Sequence, residues 1–208
     1  MKKIPMLFTM IFEEGRRGAV GIDFSTFNPV ALDVLRNATE IVATRKFDGS
    51  AMMRDEGGKW WARRIIRPNK KAPECFIECT FDANTGKRVG WIPVSSPSFG
   101  WKRQFAEAIE VAEAEGVEFS PGTFELVGES IQGNPEGIVG HRLLPHGSAI
   151  IEDFPDVKEL LGDARAAHDL MEPHFKEFER NSIEGVVLWA DGVPAVKIRV
   201  ADFAKGWQ

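Results

Sequence analysis

The chain has 208 residues, 43% of them hydrophobic, and a formal net charge of -5. That length can bury a sizeable core, and one compact domain over residues 1–208 is expected, with 1–35 unassigned and 40–200 bearing the motifs. No run approaches the roughly 18 apolar residues of a membrane span, and the apolar start of the chain is interrupted by Glu13 and Glu14, so no membrane partner and a cytoplasmic protein are expected.

A first strand is predicted at 40–46, where Ile41, Val42 and Ala43 lead into Lys46-Phe47-Asp48-Gly49. Strands follow at 50–55 and 59–64, with Gly57-Gly58 as the hairpin turn between them. Residues 63–71 then hold five cations, Arg63, Arg64, Arg67, Lys70 and Lys71, beside Trp60, Trp61 and Trp91. Local field, rather than total charge, decides whether a polyanion is attracted, so this run is a candidate RNA-backbone track or a solvated loop. Cys75 and Cys79 have three residues between them and no nearby His, which favours two reduced thiols over a zinc site.

A strand at 90–94 precedes a helix from a Ser98 cap to about residue 115, where Phe105, Ala108, Ile109 and Ala112 make an apolar stripe and Gly116 stops it. Strand 122–128 carries one acid, Glu125, in an otherwise apolar run, and a further strand is expected at 148–152. Asp163 can cap a helix to Glu179, interrupted or kinked at Pro173. His168 and His174 lie six apart in it and do not share a face, so both read as ordinary residues. Strands at 184–190 and 194–200 close the series as one hairpin through Asp191-Gly192. Alternation along the last strand sets Lys197 and Arg199 on one face and Val196, Ile198 and Val200 on the other. The pattern is α+β, antiparallel sheets flanked by helices.

A lysine at a strand end, followed by a carboxylate and by a glycine that permits close backbone approach, suits a covalent lysine nucleophile, although Asp-Gly is also ordinary turn chemistry. Two acids on strands, Glu125 and Glu184, and two cations on one strand face, Lys197 and Arg199, follow in order. Such a set can bind a hard divalent cation and a phosphate.

Lys46-Phe47-Asp48-Gly49, Phe124-Glu125-Leu126-Val127-Gly128, Glu184-Gly185-Val186-Val187-Leu188-Trp189 and Val196-Lys197-Ile198-Arg199 resemble nucleotidyl motifs I, III, IV and V of the covalent nucleotidyltransferases, the superfamily of ATP-dependent ligases and capping enzymes. Trp60 to Arg64, Gly90 to Val94, Gly133 to Gly137, His146-Gly147-Ser148 and Asp202-Phe203 look like the small stand-alone RNA ligases of bacteria and vertebrates. The resemblance runs from about residue 40 onward.

It implies the adenylation-domain fold, without an OB barrel, since the sequence stops soon after Arg199. It also implies an ATP-dependent RNA ligase that joins 5′-phosphate and 3′-hydroxyl RNA ends through AMP on Lys46, with Mg²⁺ or Mn²⁺ and no required protein partner. By the same resemblance Lys197 and Arg199 serve catalysis and phosphate binding, Glu184 is the metal-side acid, and Glu125 is the ribose-side acid and a second metal candidate. Asp48 and Gly49 shape the nucleophile loop, and Arg54, Arg63 or Arg64 contacts the ribose. Arg199 departs from the pattern, which usually has lysine there; arginine keeps the charge but is a poor proton donor. Arg67, Lys70 and Lys71 are the RNA-binding candidates. Open alternatives are a related enzyme that uses GTP, seals DNA or has a non-nucleic-acid acceptor, and a catalytically silent nucleotide or RNA sensor. Asn134, Glu136 and His146 match the subfamily's segments without an assigned role.

Overall fold

The computed structural model describes residues 4–15, 19–83 and 85–203. In chain order the elements are β1 (Phe8–Phe12), β2 (Ala19–Phe27), α1 (Pro29–Asn37), β3 (Ile41–Lys46), β4 (Ser50–Arg54), β5 (Trp60–Ile66), β6 (Ile77–Asp82) and β7 (Lys87–Pro93). There follow α2 (Lys102–Ala114), β8 (Gly122–Gly128), β9 (His141–Pro145), α3 (Val157–Leu160), α4 (Ala164–Arg180), β10 (Gly185–Ala190), β11 (Val193–Arg199) and α5 (Val200–Phe203). The named strands pair antiparallel, so the fold class is α+β as expected. The described residues divide into two compact units, one of residues 4–46 with 147–203 and one of residues 47–146.

In the first unit, a three-stranded sheet of order β11-β10-β3 stands beside the β1-β2 hairpin. Its apolar positions Val186, Leu188, Val196 and Ile198 are buried with Phe8, Phe24, Leu35, Met171 and Phe175 in one core. Alternation therefore commits the opposite sheet face to Thr44, Lys46, Val187, Lys197 and Arg199. The β10-β11 connection is the expected tight turn, with Asp191 and Gly192 at φ 49° and 77°.

The N-terminal segment, which sequence alone left unassigned, belongs to this unit's architecture. Leu7 N donates to Lys197 O at 3.2 Å and Lys197 N to Pro5 O at 3.0 Å, so residues 5–7 cover the outer edge of β11. Asn28 caps α1 by accepting from Val30 N at 3.0 Å, and Pro29 sits in the first turn.

Asp163 caps α4 as expected, accepting from Arg165 N and Ala166 N at 2.9 and 3.1 Å. Pro173 does not interrupt it: the helix runs unbroken to Arg180 because Ala167, His168, Met171, Phe175 and Phe178, on both sides of the proline, are buried on one face. His168 is a core residue, stacked on Phe203 at 4.9 Å. The strand expected at 148–152 does not form. Ile150 makes a single bridge to Thr44, with Arg45 N donating to Ala149 O and Ile151 N to Ala43 O, before a turn and Pro155 carry the chain away.

The second unit is a six-stranded sheet of order β6-β7-β5-β4-β8-β9. Met52, Ala62, Ile92, Phe124, Leu126 and Leu143 pack on one face with Ala108 of α2. Ser98 does not cap that helix. Pro97 and Gly100 hold residues 96–99 in a turn, with Phe99 N donating to Ser96 O at 3.1 Å, and the helix begins only at Lys102, with Trp101 giving no side-chain cap. The Gly57-Gly58 hairpin forms as expected, Gly58 N donating to Asp55 O at 2.9 Å.

Candidate functional site

In the first unit the cations converge by register. Lys46 and Arg199 both pair with Gly185, one from each side, and Thr44 and Lys197 both pair with Val187. Three cations from two strands thus share one sheet face, two ladder positions apart. Gly185 is required there: a Cβ would lie 2.1 Å from Ile198 O and 2.8 Å from Arg199 Cα.

Glu184, the residue before β10, reaches Lys46 and makes an ion pair with its Nζ, each side chain about a quarter exposed. Residues 138 positions apart in sequence are therefore in contact. Arg199 is gripped by Asp202, with Nη2 2.8 Å from Oδ1 and Nε 3.1 Å from Oδ2, while Arg199 N also donates to Oδ2 at 3.2 Å. These bonds hold the guanidinium above its ordinary pKa, so it is a permanent cation. Asp202 is 2% exposed. The i,i+3 spacing of Asp202 from Arg199 is the one trace of this support in the sequence.

The second unit carries the other motif residues. Gly49 is where close approach matters, because a Cβ would stand 2.3 Å from Leu126 O and 3.1 Å from Glu125 Cγ. Asp48 N donates to Glu136 Oε1 at 3.0 Å. Glu136 is presented by a loop with Gln132, Gly133, Asn134 and Gly137 all at positive φ, closed by reciprocal 3.0 Å bonds between the Asn134 amide and the Ile138 backbone. A shape so over-determined, with two non-glycine residues in the left-handed region, marks a built feature.

Glu125 and Thr123 point from β8 to the face opposite the apolar core, and His146 binds both: Nε2 is 2.8 Å from Glu125 Oε2, and Nδ1 is 3.0 Å from Thr123 Oγ1. Arg63 of β5 shares that face by alternation. Burial holds its guanidinium below the ordinary value against the opposing pull of Glu125, and its Nε is buried without a hydrogen-bond partner among the described residues. Arg63 is half-buried, and its unpartnered Nε beside Glu125 makes this position a candidate for a polar ligand.

The remaining candidates are elsewhere. Arg54 faces the core side and donates to Phe119 O at 2.9 Å, so the structure does not bring it to Glu125. Arg64 is on that other face too and is exposed. Arg67, Lys70 and Lys71 are exposed in the turn after β5, where Lys70 N donates to Arg67 O at 3.2 Å. The tryptophans beside them are not open stacking platforms. Trp60 packs against Phe105, Phe119 and Phe124, Trp91 is 4% exposed, and Trp61 donates to Asp55 Oδ2 at 2.7 Å with Lys59 over its ring.

Among the described residues no three His, Cys, Asp or Glu side chains gather at metal-binding spacing. Glu184 offers one hard oxygen donor, which suits Mg²⁺, an ion that takes one or two carboxylates and completes its shell with water and phosphate. No helix among the described residues is long and apolar enough to cross a membrane.

No protein-family model matches the chain. It is 25% identical to RNA ligase 1 of Mus musculus over 226 aligned positions, covering 78% of this chain and 66% of the mouse protein, and 24% identical to RNA ligase 1 of Rattus norvegicus with the same coverage. Over that span the chain is similar in sequence to RNA ligase 1. It spans just under two thirds of the length of these relatives. Among solved structures, a lysine-to-alanine variant of Naegleria gruberi RNA ligase with ATP and Mn overlaps 98% of this chain and 64% of its own, at 14% identity and a TM-score of 0.39. A lysine-to-methionine variant with AMP and Mn gives 15% identity and a TM-score of 0.33, over 99% of this chain and 65% of its own.

Proposed function

We propose that the protein is an ATP-dependent RNA ligase acting through AMP bound covalently to Lys46. The observation that carries this reading is the Lys46–Glu184 ion pair, which unites the motif I lysine and the motif IV acid on a sheet face shared with Lys197 and Arg199. The relationship to RNA ligase 1 supports the choice of RNA as acceptor.

In the reading, a lysine engaged with Glu184 must first leave that carboxylate and shed its proton. Its nitrogen then attacks the α-phosphorus of ATP; the N–P bond forms as the bond to pyrophosphate breaks. Lys197 and the Asp202-gripped Arg199 offset the charge that accumulates on the phosphoryl oxygens. A divalent cation held by Glu184 would add positive charge at the phosphates. Glu125 accepts from a ribose hydroxyl and Arg63 binds beside it. A 5′-phosphate oxygen of RNA next displaces the lysine, which takes back a proton, and a 3′-hydroxyl finally attacks that phosphate and releases AMP. Gly49 and the Asp48–Glu136 bond shape the loop after the nucleophile. A cytoplasmic site of action belongs to the same reading.

Incubation with α-labelled ATP and Mg²⁺, followed by denaturing electrophoresis, tests it. Label should stay on the chain and vanish in Lys46→Ala. Retention of label in that variant would move the nucleophile elsewhere, and labelling without joining of 5′-phosphorylated RNA would redirect the acceptor.

A further inference from the structure

We infer that His146 is the positioning residue that makes Glu125 a reader of ribose, so that His146 sets discrimination between ribo- and deoxyribonucleotides. The inference rests on the reading of Glu125 as the ribose acceptor and adds a residue to which that reading gave no part.

Thr123 and Glu125 are two apart on β8 and so share a face. Phe124 pairs with Pro145, and His146 N continues the ladder by donating to Thr123 O at 3.0 Å. That bond sets the imidazole over both side chains, where Nδ1 meets Thr123 Oγ1 at 3.0 Å and Nε2 meets Glu125 Oε2 at 2.8 Å. Two ring nitrogens, a hydroxyl and one carboxylate oxygen are thereby engaged.

Donor and acceptor accounting then fixes the roles. An ionised carboxylate only accepts, so Nε2 carries the proton that binds Glu125; in the neutral ring Nδ1 is left to accept from the Thr123 hydroxyl. Glu125 is 8% exposed, which makes its remaining acceptor capacity expensive to leave unmet. Its other oxygen, Oε1, takes no hydrogen bond from the described residues. One oxygen is tied by histidine, and one acceptor is held still. A sugar hydroxyl supplies a donor to that oxygen, whereas a deoxy sugar seated in the same place displaces water from it and supplies none. Sites that hydrogen-bond a hydroxyl reject analogues lacking it far better than apolar pockets reject a missing methylene. Without His146 the glutamate would be released into other rotamers, and the geometric basis of the choice would go.

The test is single-turnover labelling of Lys46 in the full chain, with ATP, 2′-deoxy-ATP and 3′-deoxy-ATP compared by efficiency. The parent should favour ATP over at least one deoxy analogue by on the order of 10- to 100-fold. In His146→Ala that ratio should collapse to within about 3-fold, whatever the absolute rate. His146→Gln keeps an N–H donor for Glu125 and should restore most of the ratio. Circular dichroism verifies the fold of each variant, and Thr123→Val, which removes only the hydroxyl, should give an intermediate ratio. A preference in the parent that survives His146→Ala overturns the inference and leaves the ligase reading intact. A parent indifferent to both hydroxyls overturns it as well. Absence of label from every nucleotide overturns the ligase reading and takes this inference with it.

Discussion

Removing the Asp202 carboxylate, as in Asp202→Asn, separates the support of Arg199 from Arg199 itself. Asp202 is buried and accepts from the Arg199 guanidinium at 2.8 and 3.1 Å and from Arg199 N at 3.2 Å. The amide keeps the volume and one acceptor oxygen but loses the charge and presents its NH₂ to the guanidinium. Hydrogen bonds to charged groups contribute about 1.5 to 3 kcal/mol each, but Arg199 is about a third exposed and can turn to water, and the variant no longer buries a charge. A net cost of about 2 kcal/mol follows, or about 4 to 8 °C in Tm for a chain of this size. The larger effect is on chemistry. An unsupported Arg199 samples other rotamers instead of holding one pose on the sheet face, and loss of an oriented cation from a phosphoryl-transfer site costs about 10²-fold in rate. The assay pairs thermal unfolding with single-turnover labelling of Lys46. If Asp202→Asn melts and labels like the parent, Asp202 does not organise the site. If it melts lower but labels normally, Arg199 is a structural cation and not a phosphate clamp.

Glu184→Ala, which removes the Lys46 partner, should slow labelling by about 10²-fold and leave a folded chain by circular dichroism. Gly49→Ala drives a methyl into Leu126 O, 2.3 Å from the ideal Cβ, and should lower stability by about 2 kcal/mol or more, read as a drop in Tm. Asp191 accepts from Glu40 N at 2.9 Å and Thr39 N at 3.0 Å, which hold its carboxyl below the ordinary range. A depressed folded-state pKa contributes stability that is present above the unfolded value and lost as pH falls through the folded one, so Asp191→Asn should flatten the acid limb of the Tm–pH curve and leave its alkaline limb unchanged. Replacing Lys70 and Lys71 by Glu should weaken sealing of 5′-phosphorylated RNA and lower the log–log salt slope by roughly 0.7 to 0.9 per lost phosphate contact, with Lys46 labelling spared.

Much of the sheet framework was legible because period-two patterns and turn dipeptides are local signals. Strand 122–128 and the Asp191-Gly192 hairpin were found within a residue or two. Strands β1, β2, β6 and β9 were not. β6 has exposed Ile77 and Phe81 at alternate positions and no apolar run, so its pairing with β7 is decided by neighbours and not by its own residues. The start of α1 was readable from Asn28-Pro29, an N-cap followed by a first-turn proline, but went unassigned. Ser98 has the residue type of a cap, but Pro97 and Gly100 favour the turn that precedes the helix.

The site divides along the same line. Motif residues were legible one by one, since each is a charged side chain in an apolar strand. Their supports were not, because Asp202, Glu136 and His146 act through contacts that only tertiary register creates. His146 reaches Glu125 by way of β9, a strand that was not predicted, and Glu136 reaches Asp48 across 88 residues. The net charge of -5 misleads for a related reason. On the sheet face with Lys46 the three cations Lys46, Lys197 and Arg199 outnumber the two nearby carboxylates, Glu184 and Asp202, which leaves positive charge in excess there. Sheet register, not composition, therefore sets the local potential, and an acidic chain can present a phosphate-binding surface.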